Sequence, residues 1–272
     1  MSDNKPGPLF VIGGAEDKEG DKVILSAIAR AAGGGKLVIA TIASGQPAGY
    51  FSAYQKAFGD LGHTNLVELY LEDRGQALSA DKLAVLEGAC GVFFSGGDQL
   101  RITSQLGDTP LEARLREIWS NGGVLAGTSA GASAMSDTML VRGASSESHR
   151  IGDLQMAPGL GLIRDVIIDQ HFAERGRIGR LLGAIAHSPR VLGVGVDEDT
   201  ALLVRDDAFE VLGSGAVYVL DGAAVSHSNI SEGDARTPLS MYDVGLHVLS
   251  AGDVFDLVER RPRPGGDAQD KS

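Results

Sequence analysis

A chain of 272 residues, 43% hydrophobic and 22% charged, is long and apolar enough to bury a full core as one large α/β domain. Its net charge of −12 excludes a general nucleic-acid binder, which needs a basic stripe, and its single cysteine, Cys90, excludes an internal disulfide framework or a cysteine-based zinc site. No stretch approaches the roughly 20 apolar residues of a membrane-spanning helix, and residues 1–8 are polar with no signal-like apolar run, so a cytoplasmic protein without membrane association is expected.

In chain order, Leu9-Phe10-Val11-Ile12 is an apolar run closed by Gly13-Gly14, a buried strand and its turn. Glu16 and Asp17 then open a helix through Ile24, Ile28 and Ala31, ended by Gly33-Gly34-Gly35. Residues 36–43 form a second β run, 50–61 a helix and 66–71 a third strand. Residues 79–88 fit a helix capped by Ser79. Cys90 precedes Val92-Phe93-Phe94 and reads as a small core residue; the strand at 92–95 ends in Gly96-Gly97-Asp98. Helical patterns follow at 100–106 and 111–120, then the strand Gly123-Val124-Leu125-Ala126.

Continuous apolar strands alternating with amphipathic helices indicate a parallel sheet covered on both faces. Val166-Ile167-Ile168 continues that pattern and is followed by a helix through Ile185. After Val191 the texture changes to short β runs at 194–196, 200–204, 209–212 and 216–220, which read as an antiparallel meander appended to the core. The organisation expected is a flexible segment at 1–7, a single α/β domain over 8–258 and a disordered Pro-, Gly- and charge-rich tail at 259–272.

The chemistry centres on Gly127-Thr128-Ser129-Ala130-Gly131-Ala132. A G-x-S-x-G turn between strand and helix lifts a serine hydroxyl off the sheet edge and acts as a nucleophile elbow. A serine nucleophile needs a base and a group that orients the base. Of six histidines, His171 is best placed, because it ends the strand Val166-Ile167-Ile168-Asp169-Gln170. His63 lies in a helix-to-strand loop, His187 at a helix end, His227 and His247 in the late β region and His149 in a Ser/Glu-rich loop. The orienting acid stays open among Asp137, Glu147, Asp169, Glu174, Asp197 and Glu198; Glu147 stands out because no helical or strand period accounts for it.

Arg175, Arg177 and Arg180 crowd a helix N-terminus, where the macrodipole disfavours positive charge, so they need another reason to be there. Binding of substrate carboxylates is one, and salt bridges to Asp169, Glu174 or Asp197 are the other. Val194-Gly195-Val196-Asp197-Glu198-Asp199 ends a strand in three acids that would pair with the arginines, a cation or a substrate guanidinium.

Together, Gly13-Gly14-Ala15-Glu16-Asp17-Lys18, Ser95-Gly96-Gly97-Asp98-Gln99, the Ser129 turn, Asp169-Gln170-His171-Phe172 with its arginines, and Gly195-Val196-Asp197-Glu198 resemble the cyanophycinases, in the serine peptidase family that also holds dipeptidase E-like enzymes. The resemblance covers about residues 8–258. It implies a three-layer αβα sandwich with a mostly parallel sheet, like class I glutamine amidotransferases, with the antiparallel β region added near the C-terminus. It also implies hydrolysis of cyanophycin, a poly-aspartate backbone carrying arginine on each side chain, to β-Asp-Arg dipeptides. In that reading Ser129 is the nucleophile, His171 the base and Glu147 the orienting acid, with Gly97 and Ala130 forming the oxyanion hole. Gln99, Asp169, Gln170, Arg175, Arg177, Arg180 and Glu198 bind substrate. No metal or other cofactor is required, and a homodimer is expected. The alternatives are a dipeptidase E-like peptidase acting on short aspartyl peptides, or a non-catalytic binding protein on the same scaffold.

Overall fold

The computed structural model describes residues 5–45, 47–143, 150–152 and 154–265. Strand and helix alternate through β1 (Leu9–Ile12), α1 (Val23–Ala31), β2 (Lys36–Ala40), α2 (Tyr50–Asp60), β3 (Leu66–Leu69), α3 (Ala80–Val85), β4 (Ala89–Phe94), α4 (Gln99–Leu106), α5 (Pro110–Ser120), β5 (Val124–Thr128) and the short α6 (Ala130–Ser133). Then come β6 (Thr138–Arg142), β7 (Gln155–Pro158), β8 (Val166–Gln170), α7 (Ile178–His187), β9 (Leu192–Val196), β10 (Thr200–Arg205) and β11 (Ala208–Gly213). The chain closes with β12 (Val217–Asp221), β13 (His227–Ser228), β14 (Met241–Tyr242), β15 (Gly245–Leu249), β16 (Val254–Asp256) and β17 (Arg261–Arg263).

The fold is α/β. Strands β3, β2, β4, β5 and β1 lie parallel in that order, and β10, β11, β16 and β17 extend the sheet antiparallel beyond β1. Both faces of the parallel part are buried, which is why its strands read as unbroken apolar runs. Phe10 and Ile12 pack with Leu37, Ile39 and Phe93 against α1 and α2, while Leu9 and Val11 pack with Val38, Val92 and Phe94 against α4 and α5. The chain moves outward from β1 to β2 and β3, then returns through β4 to β5. A single hand of crossover therefore puts α1 and α2 on one face and α3 to α5 on the other. The reversal leaves β1 and β5 side by side with their C-terminal ends together, where open α/β sheets form their binding crevice.

Strands β8 and β9 do not continue this sheet. They pair parallel with each other in a second sheet, ordered β15-β12-β9-β8. The edge of β1 that they would have joined is already paired with β10, Leu9 to Val204 and Ile12 to Ala201. The second sheet instead turns Val166, Ile168, Val194 and Val196 toward the core of the first, and its other face, with Ile167 and Leu220, packs on Leu181 and Ile185 of α7. The expected meander is accordingly divided: β10 and β11 belong to the first sheet, β9 and β12 to the second.

Four further expectations are revised. The first helix begins at Val23 and not at Glu16, because the Asp17 carboxylate accepts the backbone N–H groups of Glu19, Gly20 and Lys22 and holds the chain in a turn; the same N–H groups lower its pKa to about 2. Cys90 is exposed at the start of β4, outside the buried part of that strand. Gly7 is tied to Trp119 in both directions, its N–H to the Trp119 carbonyl at 2.8 Å and its own carbonyl to the indole N–H at 2.7 Å. Arg261–Arg263, given to the tail by composition, pair with β16, an arrangement that uses backbone groups and needs no apolar side chains.

Candidate active site

Ser129 is the first residue beyond β5, at φ 53 and ψ −112, and α6 starts immediately after it. A serine at positive φ, here with a ψ far from the left-handed helical well, costs roughly 1–3 kcal/mol and persists only where neighbouring structure over-determines it. Here the Ser129 N–H donates to the Ile12 carbonyl at 3.0 Å, and Gly131 lies against the carbonyl of Phe94, where a Cβ would have no room. The hydroxyl is thereby held off the sheet edge.

His171 follows β8, also at positive φ, 48°. Its backbone N–H donates to the Gly13 carbonyl at 2.8 Å, which joins the ends of the two sheets. Its ring fills the space left by Gly14, which has a φ of 109°: a Cβ on that glycine would lie 2.3 Å from His171 Cε1. So held, His171 Nε2 stands 2.9 Å from Ser129 Oγ. Nδ1 stands 2.6 Å from Glu198 Oε1. Burial lowers the imidazole pKa below its ordinary 6.5; the Glu198 hydrogen bond works against this, and the Arg175 charge adds to it. The result favours a neutral ring, able to accept a proton at Nε2 while Nδ1–H donates to the carboxylate.

Glu147, the orienting acid named from sequence, lies outside the described residues. The acid in contact with His171 is Glu198, a member of the expected substrate-binding set. The signal that would have found it is parallel pairing: Gln170 is opposite Val196, so the residues just past β8 and β9 emerge together. Neighbouring Asp197 is turned elsewhere and accepts the N–H groups of Ala173 and Ala216.

The arginine cluster divides. Arg180 donates from Nε to Asp169 Oδ2 at 2.6 Å and from its terminal nitrogen to Oδ1. Arg177 donates to Asp169 Oδ1 at 3.1 Å and to the Gln170 side-chain oxygen at 3.0 Å. Asp169 is 0% exposed, and both guanidinium groups are buried around it. These four residues of the substrate-binding set engage one another, the salt-bridge alternative for such a cluster, and burial is the reason, since a buried carboxylate must be paired. Arg175 alone of the three arginines is exposed, close enough to His171 to influence its titration. Gln99 donates its amide to the Leu140 carbonyl at 2.7 Å.

Gly96-Gly97 lies beside the serine, a Cβ on Gly96 falling 3.3 Å from Ser129 Cβ, while Gly97, at φ 143°, runs against the Ala43 carbonyl. The Ala130 N–H opens α6, where no preceding turn supplies it with an acceptor. A cleft of about 650 Å³ lined by Leu9, Trp119 and Val204 lies at the other end of β1 and includes none of these groups. Among the described residues no helix is long and apolar enough to cross a membrane, and no three His, Cys, Asp or Glu residues come together to hold a metal ion.

This geometry, a serine, an imidazole and a carboxylate in series at a sheet edge, is that of a hydrolase. Residues 9–212 match the sequence description of peptidase family S51. The chain is 41% identical over 261 residues to the cyanophycinase of Geminocystis herdmanii, covering 94% of this chain and 96% of that protein. It is 42% identical over 260 residues to the cyanophycinase of Trichormus variabilis, covering 94% and 87%. It is 41% identical over 255 residues to that of Synechococcus elongatus, covering 92% and 79%. A peptidase from an acI-B1 Actinobacterium shares the fold with a TM-score of 0.72 at 22% identity, over 93% of this chain and 98% of that one. The chain belongs to peptidase family S51, and is a hydrolase of that family.

Proposed function

We propose that this peptidase hydrolyses cyanophycin to β-Asp-Arg dipeptides through an acyl-enzyme on Ser129. The observation that carries the chemistry is the unbroken series from Ser129 Oγ through the His171 ring to Glu198, with contacts of 2.9 and 2.6 Å. The substrate is supported by 41–42% identity to cyanophycinases over more than nine-tenths of the chain.

Ser129 Oγ attacks the backbone carbonyl carbon as His171 Nε2 takes its proton. The tetrahedral oxyanion is met by the N–H groups of Gly97 and Ala130, and removing one such donor costs on the order of 10²–10³ in turnover. His171 returns the proton to the departing amine. Water then attacks the ester by the same route in reverse and frees Ser129. Glu198, in the place first given to Glu147, holds Nδ1–H and stabilises the imidazolium as it forms. Arg175 receives the free α-carboxylate of an arginine carried on the polymer, whereas Arg177, Arg180 and Asp169 act from behind, as a buried brace between β8 and α7. A cytoplasmic location and a homodimer belong to the same reading.

The test offers purified protein cyanophycin and a set of Asp-X dipeptides. Release of β-Asp-Arg from the polymer is expected; turnover of the dipeptides alone would assign the dipeptidase E-like activity instead.

A further inference from the structure

The loop between β1 and α1 carries a buried carboxylate to which the hydrolytic chemistry gives no task. Glu16 is 3% exposed and sits inside the molecule because the helix starts only at Val23. Its Oε2 accepts the hydroxyl of Thr128 at 2.5 Å. Its Oε1 accepts the Tyr54 hydroxyl at 2.6 Å and the Lys18 ammonium at 2.7 Å. Thr128 and Tyr54 are buried, and the Lys18 ammonium also sits 4.9 Å from the centre of the Tyr54 ring. Thr128 is the last residue of β5, directly before Ser129 with its strained backbone.

We propose that Glu16 is a positioning residue that sets Ser129 through the Thr128 side chain. A non-glycine residue stays at positive φ only where its surroundings leave it no alternative. The Thr128 hydroxyl fixed to a carboxylate that two other donors also anchor is such a restraint, and it acts one peptide from the nucleophile. The same loop reaches the other members of the series. Gly13 accepts the His171 N–H, Gly14 makes room for the imidazole, and the Gly14 carbonyl accepts the N–H of Asp199, next to Glu198. Asp199 Oδ1 in turn accepts the Asp17 N–H at 2.9 Å. Nucleophile, base and acid are thus referenced to one short segment.

The inference rests on Ser129 being the nucleophile, and the experiment separates the two. Four full-length variants, Glu16→Gln, Thr128→Val, Thr128→Ser and Ser129→Ala, are compared with the wild type for kcat and KM on cyanophycin and for melting temperature. Glu16→Gln turns an amide toward one of three donors, and Thr128→Val removes the hydroxyl at equal shape. Misplacement of a reacting group by about 1 Å can cost 10²-fold, so both variants are expected to lower kcat by about 10- to 100-fold with KM within about twofold. Thr128→Ser, which keeps the donor, should recover most of the lost rate. If Glu16→Gln does not fold, the valine and serine variants decide. Wild-type kcat in Thr128→Val, or equal loss in Thr128→Ser, overturns the proposal. Hydrolysis intact in Ser129→Ala would instead remove the serine reading on which it stands.

Discussion

His171 is held between opposing influences: burial favours the neutral ring and Glu198 favours the imidazolium, with burial the larger. Catalysis needs the neutral form, so kcat/KM should rise with pH and its acid limb should lie below 6.5, the ordinary imidazole value. Glu198→Gln removes the group that raises the pKa. The limb should therefore move to still lower pH, while turnover falls by about 10²–10⁴-fold, as loss of an orienting carboxylate does in related arrangements. A pH–rate series on the two proteins checks both signs. An unmoved limb would mean that the 2.6 Å contact does not govern the base. The placement of Ser129 and His171 at one edge was legible at this scale because each ends an apolar run at a turn. The contact of His171 with Glu198 was not, since it depends on which strands pair, and the sequence carries no local mark of that.

Two elements hold the site from opposite sides. On one, the β1–α1 loop leaves no room for a side chain at Gly14: a methyl group there would meet the imidazole at 2.3 Å, at a φ of 109°. Gly14→Ala should destabilise the protein by more than about 1 kcal/mol and lower kcat by at least about 10-fold through displacement of His171. Comparing melting temperature and kcat of this variant with the wild type tests it; unchanged kcat would show that the ring does not depend on this packing. On the other side, Asp169 ties β8 to α7 through Arg177 and Arg180. Asp169→Ala would leave two buried guanidinium charges without their carboxylate, a change worth about 3–5 kcal/mol, read as a melting temperature lower by about 10 °C. An unchanged melting temperature would contradict the brace. Sequence marked these arginines as unusual from their charge at a helix N-terminus. It left open what they pair with, because the apolar stripe of α7 does not reveal that Asp169 lies beneath.

Across the whole molecule, the alternating first half was legible in the sequence nearly element by element, since a strand buried on both faces is apolar throughout and amphipathic helices carry their own period. What escaped was the partition into two sheets. Residues 166–168 and 194–196 are apolar like the strands of the first sheet, and only the antiparallel pairing of β10 with β1 sends them elsewhere. That partition makes the site: Ser129 comes from the first sheet, His171 and Glu198 from the second, and the Gly13 carbonyl joins them. In the proposed reaction, the serine at this junction cleaves the aspartyl backbone of cyanophycin. The most direct test of that reaction is the release of β-Asp-Arg from cyanophycin, measured by mass spectrometry for the wild type and Ser129→Ala. The wild type should release the dipeptide and the variant should be slower by a factor on the order of 10⁴ or more; equal rates, or no dipeptide from the wild type, would contradict the account.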